Sequence, residues 1–358
     1  MNFTNSLRFT ALFMFAYGGT VIAQIAYPGY SYESNFLDLP SGHQIHYLDE
    51  GPKDAPPVVL LHGVPTSSFV WRNVIPELTD DFRVIAPDLV NSGFSSRTDT
   101  PLQVSEMSGV IGEFVDELGL KNVNLGLHDW GVGVGLMYAD SNQENVNSLA
   151  FFEGPFQTIP GVPPNLFDFV SSVTSEESVV DNNYFLNEFL PNTTANPLTE
   201  EELATYATPY EEEGVRRQTL QLARQLPFLN TDGHPFHDPD GDGPLPGQPS
   251  EEIELFSSYV DYLAETDTPR LLLVGSPALG PNVDTLPFYE AAIPGLQTAV
   301  VGDAVTNPSF HFLQEDVPVA LGQELNRFYQ SATVPESSGI SLLAVGLLAV
   351  GVFRNRRN

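Results

Sequence analysis

The stretch that most constrains the fold is an apolar run, residues 123–127, that ends in His-Asp-Trp-Gly (128–131) and continues with glycines at 133 and 135. The run predicts a buried strand, and residues 136–139 predict the start of a helix. Glycines at such a junction let the chain turn sharply and let the helix pack close to the strand. Asp129 stands at the apex of this turn. The sequence therefore predicts a carboxylate presented at the end of a buried strand.

Strand and helix patterns alternate on both sides of this turn. Strands are predicted at 36–39, 44–47, 57–61, 83–86, 123–127, 149–152, 270–274 and 297–301, with helices at 104–118 and 318–329. This alternation predicts an α/β fold with a mostly parallel central sheet flanked by helices. Catalytic groups in such sheets gather at the carboxyl ends of the strands.

Between residues 155 and 227 the strand patterns stop and helical patterns recur, which predicts an inserted helical cap. Helices are expected at 166–170, 184–190, 200–206 and 211–226, the last with Glu212/Arg216 and Glu213/Arg217 at ion-pair spacing. The predicted division of the chain is a first core segment at 24–154, a cap at 155–235, an acidic Pro/Gly-rich loop at 236–250 and a second core segment at 251–333.

Both ends of the chain predict sorting signals. Residues 1–23 carry one arginine, an apolar run and a small-residue cleavage pattern, as in a signal peptide. Residues 334–358 resemble the bacterial PEP-CTERM sorting signal, with Ser337 where a second proline is usual. Their apolar run of 15 residues is shorter than the ~20 that span a bilayer. We expect a periplasmic, envelope-bound or secreted protein whose tail is handled by envelope sorting machinery.

Charge and cysteine content exclude several classes of function. The 46 acidic residues against 14 basic ones give a net charge of −32, which argues against nucleic-acid binding and for a solvated acidic surface. The absence of cysteine excludes disulfides, thiol nucleophiles and thiolate metal sites. Asp238, Asp240 and Asp242 copy the first half of a calcium loop, but Pro249 stands where a bidentate Glu is required. A surface loop is therefore preferred over a calcium site.

A carboxylate at the turn predicts displacement of a leaving group from sp³ carbon, followed by hydrolysis of an ester on Asp129. Hydrolysis needs a base to activate water, and of the seven histidines only His311 follows the last core strand. This order matches that of nucleophile and base in hydrolases built on such a turn. Glu153 directly follows the strand after the turn, whereas no carboxylate follows the next strand until Asp284. Glu153 is therefore the predicted acid that orients the base.

Hydrogen-bond donors complete the predicted site. The backbone N–H groups of Val64 and Trp130 occupy turns at which they would stabilise an oxyanion. The indole N–H of Trp130, a donor with no acceptor role, is predicted to face a departing halide. This chemistry requires no cofactor and no metal.

Over residues 33–330 the chain resembles the haloalkane dehalogenases of the α/β-hydrolase fold. The matching segments are HGVPTSSFVWRNVIP (62–76), HDWG (128–131), LAFFE (149–153), LTEEELATYATPY (198–210) and HFLQEDVP (311–318). Glu153 points to the branch of the family that uses Glu as its acid. The resemblance implies a small apolar halogenated substrate, with Asp129 as nucleophile, His311 as base and Trp130 as one halide donor.

The chain departs from that branch at Val64, where an Asn usually supplies the second halide donor. Losing one such donor can cost on the order of 3 kcal/mol in the barrier. Either a cap donor or an ordered water replaces it, or another electrophile is the natural one.

Three other functions compete with dehalogenation. An epoxide hydrolase uses the same Asp-Glu-His set with cap tyrosines, for which Tyr184, Tyr206 and Tyr210 are available. A catalytically inactive surface or matrix binding protein is a second alternative, which the intact triad disfavours. A serine hydrolase is excluded because no Gly-x-Ser-x-Gly stands at a strand–helix turn. We predict hydrolytic dehalogenation to a primary alcohol, a halide and a proton.

Overall fold

The computed structural model describes residues 32–156, 172–226, 250–278 and 280–333. The predicted signal peptide (1–23), the sorting tail (334–358), the cap helix at 166–170 and the aspartates 238, 240 and 242 lie outside these ranges. No helix within the described ranges is both long and apolar enough to cross a membrane.

Eight strands form one sheet in the order β1-β2-β4-β3-β5-β6-β7-β8. The hairpin β1–β2 joins β4 in antiparallel fashion, and every other pairing is parallel. The strands are β1 Asn35–Asp38, β2 Gln44–Glu50, β3 Pro57–Leu61, β4 Arg83–Pro87, β5 Val123–His128, β6 Val146–Phe152, β7 Arg270–Val274 and β8 Gln297–Val300. The predicted α/β fold with a mostly parallel sheet is confirmed.

The central strands are buried and mostly apolar because helices cover both faces of the sheet. Every residue of β5 and β7 is buried. The helices are α1 Val104–Glu117, α2 Trp130–Ser141, α3 Glu200–Tyr210, α4 Glu213–Arg224, α5 Ser250–Glu265, α6 Leu286–Ala292 and α7 Pro318–Thr333, with a short turn at Leu313–Asp316 before α7. Because β3, β5 and β6 lie side by side and parallel, the loops after them meet at one edge of the sheet.

The described part of the cap is helical, as predicted, but its segments differ in detail. Helix α3 begins at a capping box formed by Thr199 and Glu202. The segment predicted at 184–190 forms a π-helical turn, Phe185–Phe189, followed by the short helix Leu190–Asn192.

Of the two predicted ion pairs of α4, only one forms. Arg217 contacts Glu213 at 2.7 Å. The pairing of Arg216 with Glu212 was wrong, because α4 begins at Glu213 and leaves Glu212 outside the helix. Arg216 donates instead to main-chain carbonyls, and Glu212 lies 3.4 Å from Arg97.

Candidate active site

Asp129 lies in the turn between β5 and α2, with φ 49° and ψ −125°. This backbone conformation is strained for a residue with a side chain. Glycines make it possible: a Cβ on Gly131 would lie 2.5 Å from the Leu61 carbonyl oxygen, and one on Gly63 would lie 2.0 Å from Asp129 Oδ1. The small residues around the turn are therefore a steric requirement of the way Asp129 is presented.

The Asp129 carboxylate has two differently occupied oxygens. The Val64 backbone N–H donates to Oδ1 at 2.7 Å, whereas Oδ2 faces His311 Nε2 at 3.5 Å. Burial by itself raises the Asp129 pKa, but His311, His128 and the Trp130 backbone N–H together bring it below the ordinary value. The side chain keeps 14% exposure, so an ionised carboxylate remains accessible.

His311 lies in the loop between β8 and the turn Leu313–Asp316. Its Nδ1 is 3.3 Å from Glu153 Oε2, while the 3.5 Å separation of Nε2 from Asp129 is an electrostatic contact rather than a short hydrogen bond. Burial by itself lowers the His311 pKa. Contact with the two carboxylates outweighs burial and raises the pKa to about 9. The imidazole is therefore protonated at neutral pH, beside an ionised Asp129.

Glu153 follows β6, and its side chain is 1% exposed. The Gly280 backbone N–H donates to Oε2 at 2.9 Å, the same oxygen that faces His311. Sequence reasoning missed Gly280, because a main-chain donor leaves no signal in residue identity. In the described ranges the non-glycine residues with positive φ are three asparagines, Asp129 and Glu153. Both acids of the site are thus held in strained backbone.

Two further histidines lie beside the site. Leu89 N–H donates to His62 Nε2, so the proton of His62 resides on Nδ1, which lies 2.8 Å from the Gly63 carbonyl. His128 Nε2 lies 3.0 Å from the His311 carbonyl oxygen, to which it donates. Burial lowers the pKa of His62 and lowers that of His128 to about 3. Both are neutral and help to position the loops.

The predicted leaving-group donors lie in different surroundings. Trp130 and Val64 are each 2% exposed, and the Val64 side chain is apolar, so position 64 offers only its backbone N–H. Among the cap tyrosines, Tyr206 donates to Glu315, and Tyr184 lies against Phe185.

The remaining cap tyrosine, Tyr210, is coupled electrostatically to the nucleophile. Its hydroxyl lies 3.0 Å from Thr219 Oγ1. Burial raises the Tyr210 pKa, the bond to Thr219 lowers it, and the charge of Asp129 raises it again. The Tyr210 hydroxyl therefore stays protonated, and the charge of Asp129 contributes to this.

The structure brings Asp129, Glu153, His311, Val64 and Trp130 together at one edge of the sheet. Among the residues that the structure describes, no group of three or more His, Asp or Glu side chains is arranged to hold a metal ion. The arrangement can form an ester on Asp129, stabilise charge on Oδ1 and activate water on the Oδ2 side.

Known proteins are similar to this chain in sequence and in fold. The profile of the alpha/beta hydrolase fold family matches residues 56–208. A haloalkane dehalogenase of Agrobacterium fabrum is 30% identical over 297 residues, which cover 81% of this chain and 90% of the relative. One from Sphingobium indicum is 29% identical over 307 residues, covering 83% of this chain and 95% of the relative.

Solved structures agree with these relatives. The haloalkane dehalogenase DatA from Agrobacterium tumefaciens C58 superposes with a TM-score of 0.70 at 29% identity, covering 84% of this chain and 97% of that one. DbeA from Bradyrhizobium elkani superposes with a TM-score of 0.74 at 26% identity, covering 84% and 99%.

Proposed function

Because the chain belongs to the haloalkane dehalogenase family and is accordingly a hydrolase acting on carbon–halide bonds, we propose that it converts haloalkanes to a primary alcohol, a halide and a proton. The reaction passes through an alkyl ester on Asp129. The observation that carries this proposal is the Asp129 carboxylate, held between the Val64 N–H at 2.7 Å and His311 at 3.5 Å.

In the first step Asp129 Oδ2 attacks the halogen-bearing carbon. Val64 N–H engages Oδ1, so Oδ2 is the oxygen left to form the new C–O bond. The C–X bond breaks opposite it, and its electron pair departs with the halide toward the Trp130 indole N–H.

In the second step His311 becomes a base. Ester formation removes the charge on Asp129, one of the two carboxylates that raise the His311 pKa. Burial then favours the neutral imidazole, and the proton that the imidazolium loses to solvent is the proton among the products. His311 Nε2 takes a proton from a water whose oxygen attacks the Asp129 carboxyl carbon, and Glu153 stabilises the imidazolium. The Val64 and Trp130 backbone N–H groups stabilise the tetrahedral oxyanion. Its collapse breaks the bond between the carboxyl carbon and the alkyl oxygen, which takes a proton from the His311 imidazolium and leaves as the alcohol.

Trapping the ester tests this proposal. Replacing His311 with Phe leaves the nucleophile but removes the base, so the enzyme should stop after the first step. Incubation with 1-bromobutane and intact-mass analysis should show one butyl adduct, and Asp129→Asn should show none. Turnover by His311→Phe at the wild-type rate would refute the assigned roles.

An epoxide hydrolase is the second candidate, favoured by the electrostatic coupling of Tyr210 to Asp129. In that reaction Tyr210 would protonate a departing alkoxide, and Val64 would carry no penalty. Bromide release from bromoalkanes, measured beside diol formation from styrene oxide, separates the two. Diol without bromide would select the epoxide hydrolase, and neither product would select an inactive binding protein.

We also infer a location outside the cytoplasm from residues 1–23 and 334–358. The mature enzyme then comprises about residues 24–333. Fractionation of the native host with an antibody to the core domain tests this inference, and a cytoplasmic signal alone would contradict it.

A further inference from the structure

We propose that Glu315 and Asp316 are positioning residues that hold His311 for the hydrolytic step by tying its loop to the cap and to Arg72. We call these two residues the carboxylate pair. The inference rests on the proposed function, because it assigns the pair to one of that reaction's two steps.

Asp316 binds the His311 loop and the cap through the same carboxylate. Its Oδ2 accepts the N–H of Phe310, the residue before the base, at 2.9 Å. Its Oδ1 accepts the N–H groups of Ala195 at 2.7 Å and Asn196 at 3.2 Å, both in the cap. Asp316 is 5% exposed, so water does not replace these bonds. A buried carboxylate with three main-chain donors fixes two segments that lie more than a hundred residues apart in the chain.

Glu315, the residue before Asp316, also binds both the core and the cap. The Arg72 guanidinium donates to its two oxygens at 2.6 and 2.7 Å, in a bidentate pair. Tyr206 of α3 donates its O–H to the same carboxylate. Arg72 also donates to Glu202 of α3 at 2.6 Å. The Glu315 and Arg72 side chains are 3% and 8% exposed, so this is a buried pair in which bidentate geometry matters.

The cap also contacts the base directly. The His311 N–H donates to the Thr193 carbonyl at 3.1 Å. The ring of Phe189 meets the imidazole edge to face, with centroids 5.3 Å apart. The main-chain N–H groups of Phe310 and His311 are both hydrogen-bonded, and the carboxylate pair anchors the chain just after them. Together these bonds fix the height of the imidazole above the sheet.

The two chemical steps depend on this frame to different extents. Alkylation needs Asp129, which β5, α2 and the Val64 N–H position independently of the carboxylate pair. Hydrolysis needs His311 Nε2 within hydrogen-bond reach of a water, and a displacement of about 1 Å can cost ~100-fold in such a step. Loosening the pair should slow hydrolysis selectively, which general destabilisation would not do.

The test compares three variants in single-turnover reactions with 1-bromobutane. Asp316→Asn keeps the shape of the side chain but replaces one oxygen with an NH2 group. That group is a donor and cannot accept the main-chain N–H that it faces. Tyr206→Phe removes one bond to Glu315 and is the milder change. Glu213→Gln is the matched control, because its partner Arg217 is 43% exposed on α4. Rapid quench with intact-mass analysis measures ester formation and decay, and bromide and butanol are followed separately.

Asp316→Asn is expected to form the butyl ester at the wild-type rate and to hydrolyse it ~10- to 100-fold more slowly. Tyr206→Phe should show a smaller effect of the same kind, and Glu213→Gln should match wild type. Equal loss of both rates, or no loss, in folded Asp316→Asn overturns the inference. If Asp316→Asn does not fold, Tyr206→Phe decides by the same criterion. A wild-type enzyme that releases no bromide refutes the proposed function instead.

Discussion

Replacing Asp129 with Asn should lower the pKa of His311 from about 9 toward its ordinary value. Asn is neutral and similar in shape to the carboxylate, so it imitates the loss of charge that accompanies ester formation. In the native protein, burial lowers the His311 pKa, whereas close contact with the Asp129 and Glu153 carboxylates raises it to about 9. The substitution removes one of the two raising partners and leaves burial unchanged.

The expected change in the protonation of His311 follows from the size of its pKa shift. Raising a histidine from ~6.5 to about 9 corresponds to about 3 kcal/mol of preferential interaction with the protonated form. At pH 7.5 only about 3% of His311 would be neutral in the free enzyme, against about 90% if its pKa returned to ~6.5. On this reasoning alkylation itself turns the imidazole into a base at the moment when hydrolysis requires one.

NMR titration of the histidine ring carbons in ¹³C-labelled protein measures the change. The spectrum of His311→Phe assigns the His311 signal among the seven histidines. We expect its midpoint near pH 9 in the native enzyme and well below that in Asp129→Asn. A midpoint that stays near 9 in Asp129→Asn would refute the argument, because Glu153 alone would then hold the proton.

Val64→Asn should speed alkylation by up to ~100-fold, because it adds a donor toward the halide; unchanged bromide-burst kinetics would contradict this. Gly131→Ala should destabilise the fold by about 1–3 kcal/mol in urea, since its Cβ would lie 2.5 Å from the Leu61 carbonyl; Gly109→Ala, with nothing within 4 Å, is the control and should gain stability. The raised His311 pKa stabilises the fold fully below pH ~6.5, and this contribution is lost as pH rises through about 9; the free energy of unfolding should fall across that window in the native protein and less in His311→Phe. The net charge of −32 predicts that the melting temperature rises from low salt to 1 M NaCl as repulsion is screened, and a flat response would count against it.

The predictions that succeeded from sequence rest on local constraints. Strand and helix periodicities, together with glycines that permit close approach, were sufficient for the turn at Asp129, because the conformation there depends on residues within a few positions. Glu153 follows β6 and His311 follows β8, and the location of both at one edge of the sheet followed from chain order among parallel strands. The error at Arg216 was also local: a shift of two residues in the start of α4 removed Glu212 from the helix.

Only the tertiary structure decided the contacts between segments that are distant in the chain. The Gly280 N–H on Glu153, the Arg72–Glu315 pair and the three donors on Asp316 join segments up to 243 positions apart. No pattern in the chain specifies them, because the sheet order and the docking of the cap determine which loops meet. The sequence by itself determined which residues could perform the chemistry. The packing of the cap against the His311 loop decided how they are held, since buried charges are stable only where their partners converge in three dimensions.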